Sequence, residues 1–399
     1  MTPAARVQAA VEVLDRVLGG GEAAERALTG WARRSRFAGS GDRAAVRDHV
    51  FDALRRLRSS AWLGGLGDVT PDAMDGRSVM AGLLRGRNVD PAGLFDGSRH
   101  GPAPLAERGA PPPLGGAARG VRLDVPDWLL PALDEALGPD LPAICAALRE
   151  RAPTHLRANA ARIDRATLRE RLAAEGVRTA PHPLSPAALA VDPPRRGLDR
   201  LTAFEEGLFE FQDAGSQALV DRLPARTGMR VLDLCAGGGG KALALAARVP
   251  GALIDAFDAD PARLGDLPSR AEWAGARITV IDDPEGGAPY DLVLCDVPCS
   301  GSGAWRRQPE ARWRLAPARL RALGEAQRAI LARASRLVRP GGTVAYATCS
   351  LLRAENDAVV DGAAALGLAE EERWRSTPLD GADGFFLWRG RRAEGGVEP

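Results

Sequence analysis

The chain has 399 residues, of which 45% are hydrophobic and 26% charged, and its formal net charge is +1. This composition is ordinary for a globular protein of two or three domains and excludes a fibrous class. No apolar run is long enough for a secretory signal or a membrane span, and the five scattered cysteines lack the spacing of a zinc site or a disulfide framework. We expect a cytoplasmic monomer with free thiols, no bound metal and no membrane association.

Residues 1–122 are predicted to form an all-α domain that ends in a linker. Apolar residues recur at helical spacing up to about Leu63. Between Arg6 and Arg58 the sequence has eleven arginines and seven acidic residues. This excess of positive charge fits an RNA-binding module and a solvated outer face equally well. The proline- and glycine-rich stretch 101–120 cannot sustain a helix or a central strand, so it is interpreted as the linker.

Two further regions follow. Residues 123–210 are predicted to form a small α+β domain, with a strand near Leu156 and a helix from Arg165 to Glu175. From residue 211 to 399, short apolar runs alternate with helices, which predicts a doubly wound, mostly parallel, Rossmann-like α/β domain. Ligands of such sheets bind beyond the carboxyl ends of the strands, and three motifs stand at those ends.

The first motif is a glycine turn between a predicted strand, Arg230–Leu234, and a helix. A turn of this kind presents free backbone N–H groups that can hold a nucleotide-like ligand. It also fits a nicotinamide-binding pattern loosely, whereas a phosphate-binding P-loop is disfavoured because Ala242 replaces the required Ser or Thr. Lys241 is the only lysine of the chain, which suggests a position that needs a compact ammonium group. The candidate cofactor-binding residues here are Cys235, Ala236, Gly237, Gly238, Gly239, Gly240 and Lys241.

Carboxylates follow the next two predicted strands. Asp258 ends the second strand and can accept hydrogen bonds from both hydroxyls of a ribose, although a solvated turn residue is the simpler interpretation. At the next strand end, Asp282 or Asp283 is a candidate contact for an adenine amino group. Both positions therefore belong to the predicted cofactor site.

Two cysteines, Cys299 and Cys349, each follow a predicted strand, precede a serine and lie in a turn. Carbon 5 of a pyrimidine is a poor nucleophile, and a thiolate that adds at carbon 6 activates it for methylation. Asp296, three residues before Cys299, is placed to act as the acid at ring nitrogen 3. Cys145 and Cys295 are interpreted as buried apolar residues. A nicotinamide-dependent oxidoreductase is the rival, but none of the four histidines lies in residues 211–399 to serve it.

A basic region follows the first cysteine motif. Ten arginines and two glutamates lie between Arg306 and Arg339, with Trp305 and Trp313 interleaved. Arginine and tryptophan beside a reactive loop suit phosphate contacts and base stacking. Arg306 and Arg307 are predicted to bind RNA, whereas the later arginines are interpreted as the solvated face of a helix over Pro317–Leu337.

These motifs together resemble the RsmB/Sun branch of the RNA cytosine-5 methyltransferases, which modify small-subunit ribosomal RNA with S-adenosylmethionine. The resemblance covers most of the chain. It rests on Gln212–Gln217, the glycine turn, Asp296–Gly303 with Arg306–Pro309, Tyr346–Ser350 with Glu355 and Asn356, and Asp383–Phe386.

The resemblance implies a class I methyltransferase domain over residues 211–399, a NusB-like RNA-binding domain over 1–122 and a small RNA-binding domain over 123–210. It implies that Cys349 is the nucleophile and that Cys299 assists product release. The glycine turn, Asp258, Asp282 and Asp296 would line the S-adenosylmethionine site. The implied reaction is transfer of a methyl group to carbon 5 of a cytosine in RNA, with small-subunit (16S) ribosomal RNA as the expected partner.

Some features depart from the family pattern. Gly238 stands where the family usually has proline, and Ala242 where Thr or Ser is common. Two alternatives stay open at this point: a tRNA cytosine-5 methyltransferase, and a non-catalytic RNA-binding factor of ribosome assembly. The second is disfavoured because Cys349, Cys299 and Asp296 are all present.

Overall fold

The computed structural model describes residues 1–67, 69–70, 73–106 and 113–394. The chain divides into two compact units. The first comprises Met1–Arg151 and Trp305–Leu315, and the second comprises Ala152–Ala304 and Ala316–Pro399. In the described parts of the chain, no helix is both long and apolar enough to cross a bilayer.

The first unit is helical. Its first helix begins at Pro3, which suits the first turn because proline lacks an N–H there, and the Thr2 side chain caps it by accepting from Ala5 N at 3.2 Å. The core is built on apolar faces that include Val7, Leu14 and Val50. The helices are α1 (Pro3–Leu18), α2 (Ala24–Arg34), α3 (Ser40–Arg55), α4 (Leu57–Leu63), α5 (Gly76–Gly86), α6 (Arg119–Leu123), α7 (Leu130–Leu137), α8 (Leu141–Arg149) and, from the later segment, α14 (Glu310–Arg314).

This unit continues to Arg151, past the predicted domain boundary at residue 122. The reason is that α8 packs against α3 and α6, and the Arg56 guanidinium donates to the carbonyl of Arg149 at 2.8 Å. The segment Trp305–Leu315 also belongs to it, since Trp313 Nε1 donates to the Leu54 carbonyl at 2.8 Å.

The second unit opens with a four-stranded antiparallel sheet in the order β2-β3-β1-β4. Leu156 on β1 lies between Leu189 of β3 and Phe211 of β4, and the inward face packs on Leu168 and Leu172 of a helix. The elements are β1 (His155–Ala158), α9 (Arg165–Ala174), β2 (Thr179–Pro181), β3 (Ala188–Val191), α10 (Thr202–Glu205) and β4 (Phe209–Phe211).

The same unit continues into a seven-stranded sheet in the order β10-β11-β9-β8-β5-β6-β7. The strands from β9 to β7 run parallel, and β11 and β10 add an antiparallel edge. The elements are α11 (Ala214–Asp221), β5 (Arg230–Asp233), α12 (Gly240–Arg248), β6 (Leu253–Ala256), α13 (Leu267–Ala274), β7 (Ile278–Val280), β8 (Tyr290–Asp296), α15 (Pro317–Leu337), β9 (Val338–Thr348), α16 (Asp357–Val360), β10 (Leu368–Ser376) and β11 (Phe385–Arg392).

The predicted fold class is confirmed: a doubly wound Rossmann-like sheet is preceded by a helical region and a small α+β region. The helix predicted over Pro317–Leu337 has those bounds, and the final parallel strand is longer than the predicted Thr343–Ala347. The NusB-like character of the helical unit stays a prediction.

Sheet order has a direct consequence for the three motifs. The strands β5, β8 and β9 are neighbours, and their carboxyl ends lead into the glycine turn, the Asp296–Cys299 segment and Cys349. Because parallel strands end at one edge of the sheet, residues 50 to 110 positions apart in sequence meet there.

Candidate active site

The glycine turn after β5 needs glycine at two positions. Gly237 and Gly239 have φ of +49° and +77°, a region that side chains with a Cβ disfavour. A Cβ on Gly239 would lie 2.2 Å from Leu267, so the turn also packs tightly against α13. The turn leads directly into α12 at Gly240.

Asp258, after β6, is tied to this turn. Its carboxylate accepts from Gly237 N at 2.9 Å and from Asp260 N at 3.0 Å, and it pairs with Arg263 at 3.0 Å. A carboxylate offers about four acceptor positions, so one remains for a ligand hydroxyl. Arg263 is half exposed and could yield a second position by moving.

Asp233, the last residue of β5, is 2% exposed, and no side chain of the described residues donates a hydrogen bond to its carboxylate. Burial is the main cause that raises the pKa of Asp233 to about 7, and the nearby charge of Asp296 adds to it. Lys241 opposes the shift. A carboxyl group that is half protonated near neutral pH therefore lies beneath the turn.

Lys241 and Asp296 form an ion pair at the centre of the site. The Lys241 Nζ lies 2.5 Å from Asp296 Oδ2. Burial alone would lower the pKa of Lys241, but the Asp296 carboxylate outweighs burial and raises it. The prediction that Lys241 serves the glycine turn is therefore incomplete, because its ammonium reaches across to the end of β8.

The two predicted reactive thiols meet. Cys299 Sγ and Cys349 Sγ lie 3.5 Å apart, although 50 residues separate them in sequence. The hydrogen bond to Cys349, together with burial, raises the pKa of Cys299 well above its usual value. Cys299 therefore keeps its proton and can donate it to the Cys349 sulfur. Cys145 and Cys295 are buried, as predicted.

The candidate adenine contacts lie after β7. Asp283 Oδ1 accepts from the Glu285 backbone N–H at 3.1 Å and so supports its own turn. Asp282 is exposed at the carboxyl end of the parallel strand. This placement favours Asp282 over Asp283 as the residue available to a ligand.

The two arginines predicted to bind RNA differ in exposure. Arg307 is exposed, whereas Arg306 is only 4% exposed, and its backbone carbonyl accepts from Arg55 Nε at 2.7 Å. Burial of its guanidinium argues against Arg306 as a phosphate contact, because Arg306 belongs to the segment that packs within the helical unit. Arg307 stays a predicted contact.

Sequence reasoning assigned no role to two buried carboxylates, Asp233 and Glu355. Glu355 is 0% exposed and accepts from residues next to both reactive cysteines. The only signals available were that Asp233 ends a strand and that Glu355 follows the second cysteine motif.

These residues fit a nucleoside-containing sulfonium cofactor. The glycine turn takes positive φ at Gly237 and Gly239 beside the strand end, Asp258 retains acceptor capacity at the adjacent strand end, and Asp282 lies one strand further. Asp233, a buried carboxyl to which no side chain of the described residues donates, ends the strand that leads into the turn. The Lys241–Asp296 pair and the two thiols then lie on the opposite side of the turn, at the ends of β8 and β9.

Comparison with known proteins identifies the family. The profile of the 16S rRNA methyltransferase RsmB/F family matches residues 221–386, and that of the RsmF/B-like ferredoxin-like domain matches residues 125–196. The ribosomal RNA small subunit methyltransferase B of Xylella fastidiosa strain 9a5c is 34% identical over 285 residues, which cover 66% of this chain and 68% of the relative. The enzyme of the same name from Vibrio cholerae is 33% identical over 238 residues, 58% of this chain and 55% of the relative.

Solved structures agree on the fold. The crystal structure of PH0851 superposes with a TM-score of 0.77 at 22% identity, covering 98% of this chain and 99% of the other. The structure of NSun6 from Pyrococcus horikoshii with SFG gives 0.62 at 20% identity, covering 68% and 99%. The matched part of this chain spans from about half to two thirds of the curated relatives' length. The chain belongs to the RsmB/F family of 16S rRNA methyltransferases.

Proposed function

We propose that this protein transfers a methyl group from S-adenosylmethionine to carbon 5 of a cytosine in 16S ribosomal RNA, through a covalent adduct between Cys349 and ring carbon 6. The observation that carries the proposal is the 3.5 Å approach of the Cys299 and Cys349 thiols beside the Lys241–Asp296 pair. The names of the relatives support ribosomal RNA as the substrate. The NSun6 structure contains SFG, an analogue of the proposed cofactor.

The first step activates the base. The Cys349 thiolate adds to carbon 6, and the electron pair of the 5,6 double bond moves towards nitrogen 3. Asp296 in its protonated form donates a proton to nitrogen 3, and the Lys241 ammonium 2.5 Å away stabilises the carboxylate that this leaves. The result is an enamine in which carbon 5 is nucleophilic.

When bound, S-adenosylmethionine supplies an electrophilic sulfonium methyl group. The glycine turn, Asp258 and Asp282 would hold its nucleoside at the ends of β5, β6 and β7. The role of this chain's residues is to bring the activated carbon 5 to that methyl group, because an oriented pair reacts far faster than a free pair.

The last step restores the aromatic ring. The Cys299 thiol donates its proton to the departing Cys349 sulfur, and the Cys299 thiolate so formed accepts the proton of carbon 5. The carbon 6–sulfur bond breaks as the 5,6 double bond forms again, and nitrogen 3 returns its proton to Asp296. Cys299 is then a thiol as before, and Cys349 regains its thiolate form by releasing one proton to solvent, which accounts for the hydrogen lost from carbon 5. This assignment uses the high pKa of Cys299 and its direct contact with Cys349.

The proposal is tested with S-adenosylmethionine labelled in the methyl group. The protein is incubated separately with a 16S ribosomal RNA transcript and with tRNA, and the digested nucleosides are separated. Labelled 5-methylcytidine from the 16S transcript is the expected result. Label confined to tRNA would move the substrate to that class, and RNA binding without transfer to any RNA would support an assembly factor instead.

A further inference from the structure

Glu355 lies in the short helical turn Arg353–Glu355 after β9. This residue is completely buried at 0% exposure. A buried carboxylate is costly unless several hydrogen bonds hold it. Its partners therefore indicate what the fold gains from placing it there.

Four donors surround the Glu355 carboxylate, and all of them are neutral. Its Oε1 accepts from the Ser300 backbone N–H at 2.7 Å and from Gln327 Nε2 at 3.2 Å. Its Oε2 accepts from the hydroxyls of Ser300 and Ser350. Gln327, on α15, also donates to the Pro298 carbonyl at 2.8 Å.

The two serines are significant because of their neighbours in sequence. Ser300 directly follows Cys299, and Ser350 directly follows Cys349. One carboxylate therefore connects the loop after β8 to the loop after β9 at the residues next to the two thiols. The 3.5 Å distance between the thiols lies beside this connection.

We propose that Glu355 is a positioning residue that holds Cys299 and Cys349 at reacting distance by binding both cysteine loops. Both loops follow strand ends, where a backbone hydrogen bond, from the Gly303 N–H to the Cys349 carbonyl at 2.9 Å, takes the place of a continuous strand ladder. The Glu355 carboxylate adds hydrogen bonds at the two residues next to the thiols, and charged acceptors make the stronger bonds. Glu355 touches no reacting atom, so its effect passes through the two serines.

The proposal deepens the proposed function but is tested without any RNA or cofactor. Diamide removes two electrons and two protons from a pair of adjacent thiols, which leaves one disulfide and reduced diamide. After proteolysis, mass spectrometry measures the pair of peptides joined by a Cys299–Cys349 disulfide. The initial rate at which this disulfide forms reports how closely the two thiols are held. A failure of the methyl-transfer assay would leave this readout intact.

The variant is Glu355→Gln, which keeps the size of the side chain but loses an acceptor oxygen. Its matched control is Asp357→Asn. Asp357 is also buried, two residues further on, but among the described residues its carboxylate pairs with Arg353, Arg373 and Arg375 rather than with Ser300 or Ser350. We expect Glu355→Gln to slow formation of the Cys299–Cys349 disulfide by about tenfold, because the rate of a reaction between two positioned groups falls steeply when they are displaced by about an ångström. Asp357→Asn should leave the rate within about twofold of the native value on the same argument.

A purely structural role for Glu355 would change the melting temperature and leave the oxidation rate of the folded protein unchanged. That result would overturn the proposal. If Glu355→Gln does not fold, Ser350→Ala removes one donor to Glu355, together with the acceptor of the Leu352 N–H, and keeps the carboxylate. Ser350→Ala should then slow the disulfide while the native melting transition is retained, and an unchanged rate in this variant would equally refute the proposal.

Discussion

Asp233→Asn tests the electrostatics of the site without any substrate. In the native protein Asp233 is 2% exposed at the end of the strand before the glycine turn, and no side chain of the described residues donates a hydrogen bond to its carboxylate. Burial, with the added charge of Asp296, raises its pKa from 3.8 to about 7. Asparagine has the same shape and cannot ionise.

The magnitude follows from linkage between proton binding and folding. The pKa of Asp233 is higher in the folded state than in the unfolded state, so the folded protein binds more protons between about pH 4 and pH 7. Stability therefore falls as the pH rises through that window. The free energy of unfolding falls by about 1.4 kcal/mol for each pH unit up to about pH 7, where the slope levels off. The total loss between pH 5 and pH 8 is therefore about 3 kcal/mol.

The assay is denaturant unfolding of the native protein and of Asp233→Asn at pH 5, 6, 7 and 8. We expect the free energy of unfolding of the native protein to decrease by about 3 kcal/mol relative to that of the variant over this range. Asp357→Asn is the control. Burial opposes ionisation of Asp357, but Arg375 and Arg373 outweigh burial and lower its pKa, so its removal should shift stability equally at all four pH values. Parallel curves for the native protein and Asp233→Asn would refute the reasoning.

Three further results are expected. Lys241→Met should lower methyl transfer by about a hundredfold because the Asp296 carboxylate loses the ammonium that stabilises it, and Lys241→Arg should not restore transfer because the site is buried and fits a compact ammonium; both are measured as kcat with labelled cofactor. Gly239→Ala should destabilise the second unit by about 2 kcal/mol or more in denaturant unfolding, because the new Cβ would clash with Leu267. Gly228→Ala, at a positive φ with open space around it, should destabilise it by about 1 kcal/mol, and equal losses of stability would exclude the clash. Arg307→Ala should weaken RNA binding and reduce the salt dependence by about one unit of slope in a titration at several salt concentrations, and an unchanged slope would remove Arg307 from the interface.

Much of the fold was accessible from local patterns. Strand β5 and helix α15 lie where apolar periodicity predicted them. Each is a regular element, and the apolar residues of its buried face recur at regular spacing within one continuous segment. The unit boundary was not accessible in this way. Segment 305–315 follows a cysteine loop of the sheet, yet its partners are residues such as Leu54, some 250 positions earlier.

In the candidate site, too, local sequence predicted some features, and others depend on contacts between distant segments. The sequence motifs predicted that Cys299 and Cys349 each follow a strand, but the distance between their thiols depends on sheet order, which joins β8 directly to β9. The roles of Asp233 and Glu355 could not be predicted, since that of Asp233 depends on its burial and that of Glu355 on burial and on partners from three separate segments. Arg306 was predicted to contact RNA from its charge alone, and its burial within the helical unit argues against that contact.

The most direct test of the central claim compares three proteins with labelled S-adenosylmethionine and the 16S transcript: the native chain, Cys349→Ala and Cys299→Ala. The account predicts 5-methylcytidine from the native chain, no transfer by Cys349→Ala, and a covalent protein–RNA adduct that accumulates with Cys299→Ala. Methylation by Cys349→Ala at the native rate, or an adduct that forms without Cys349, would contradict it.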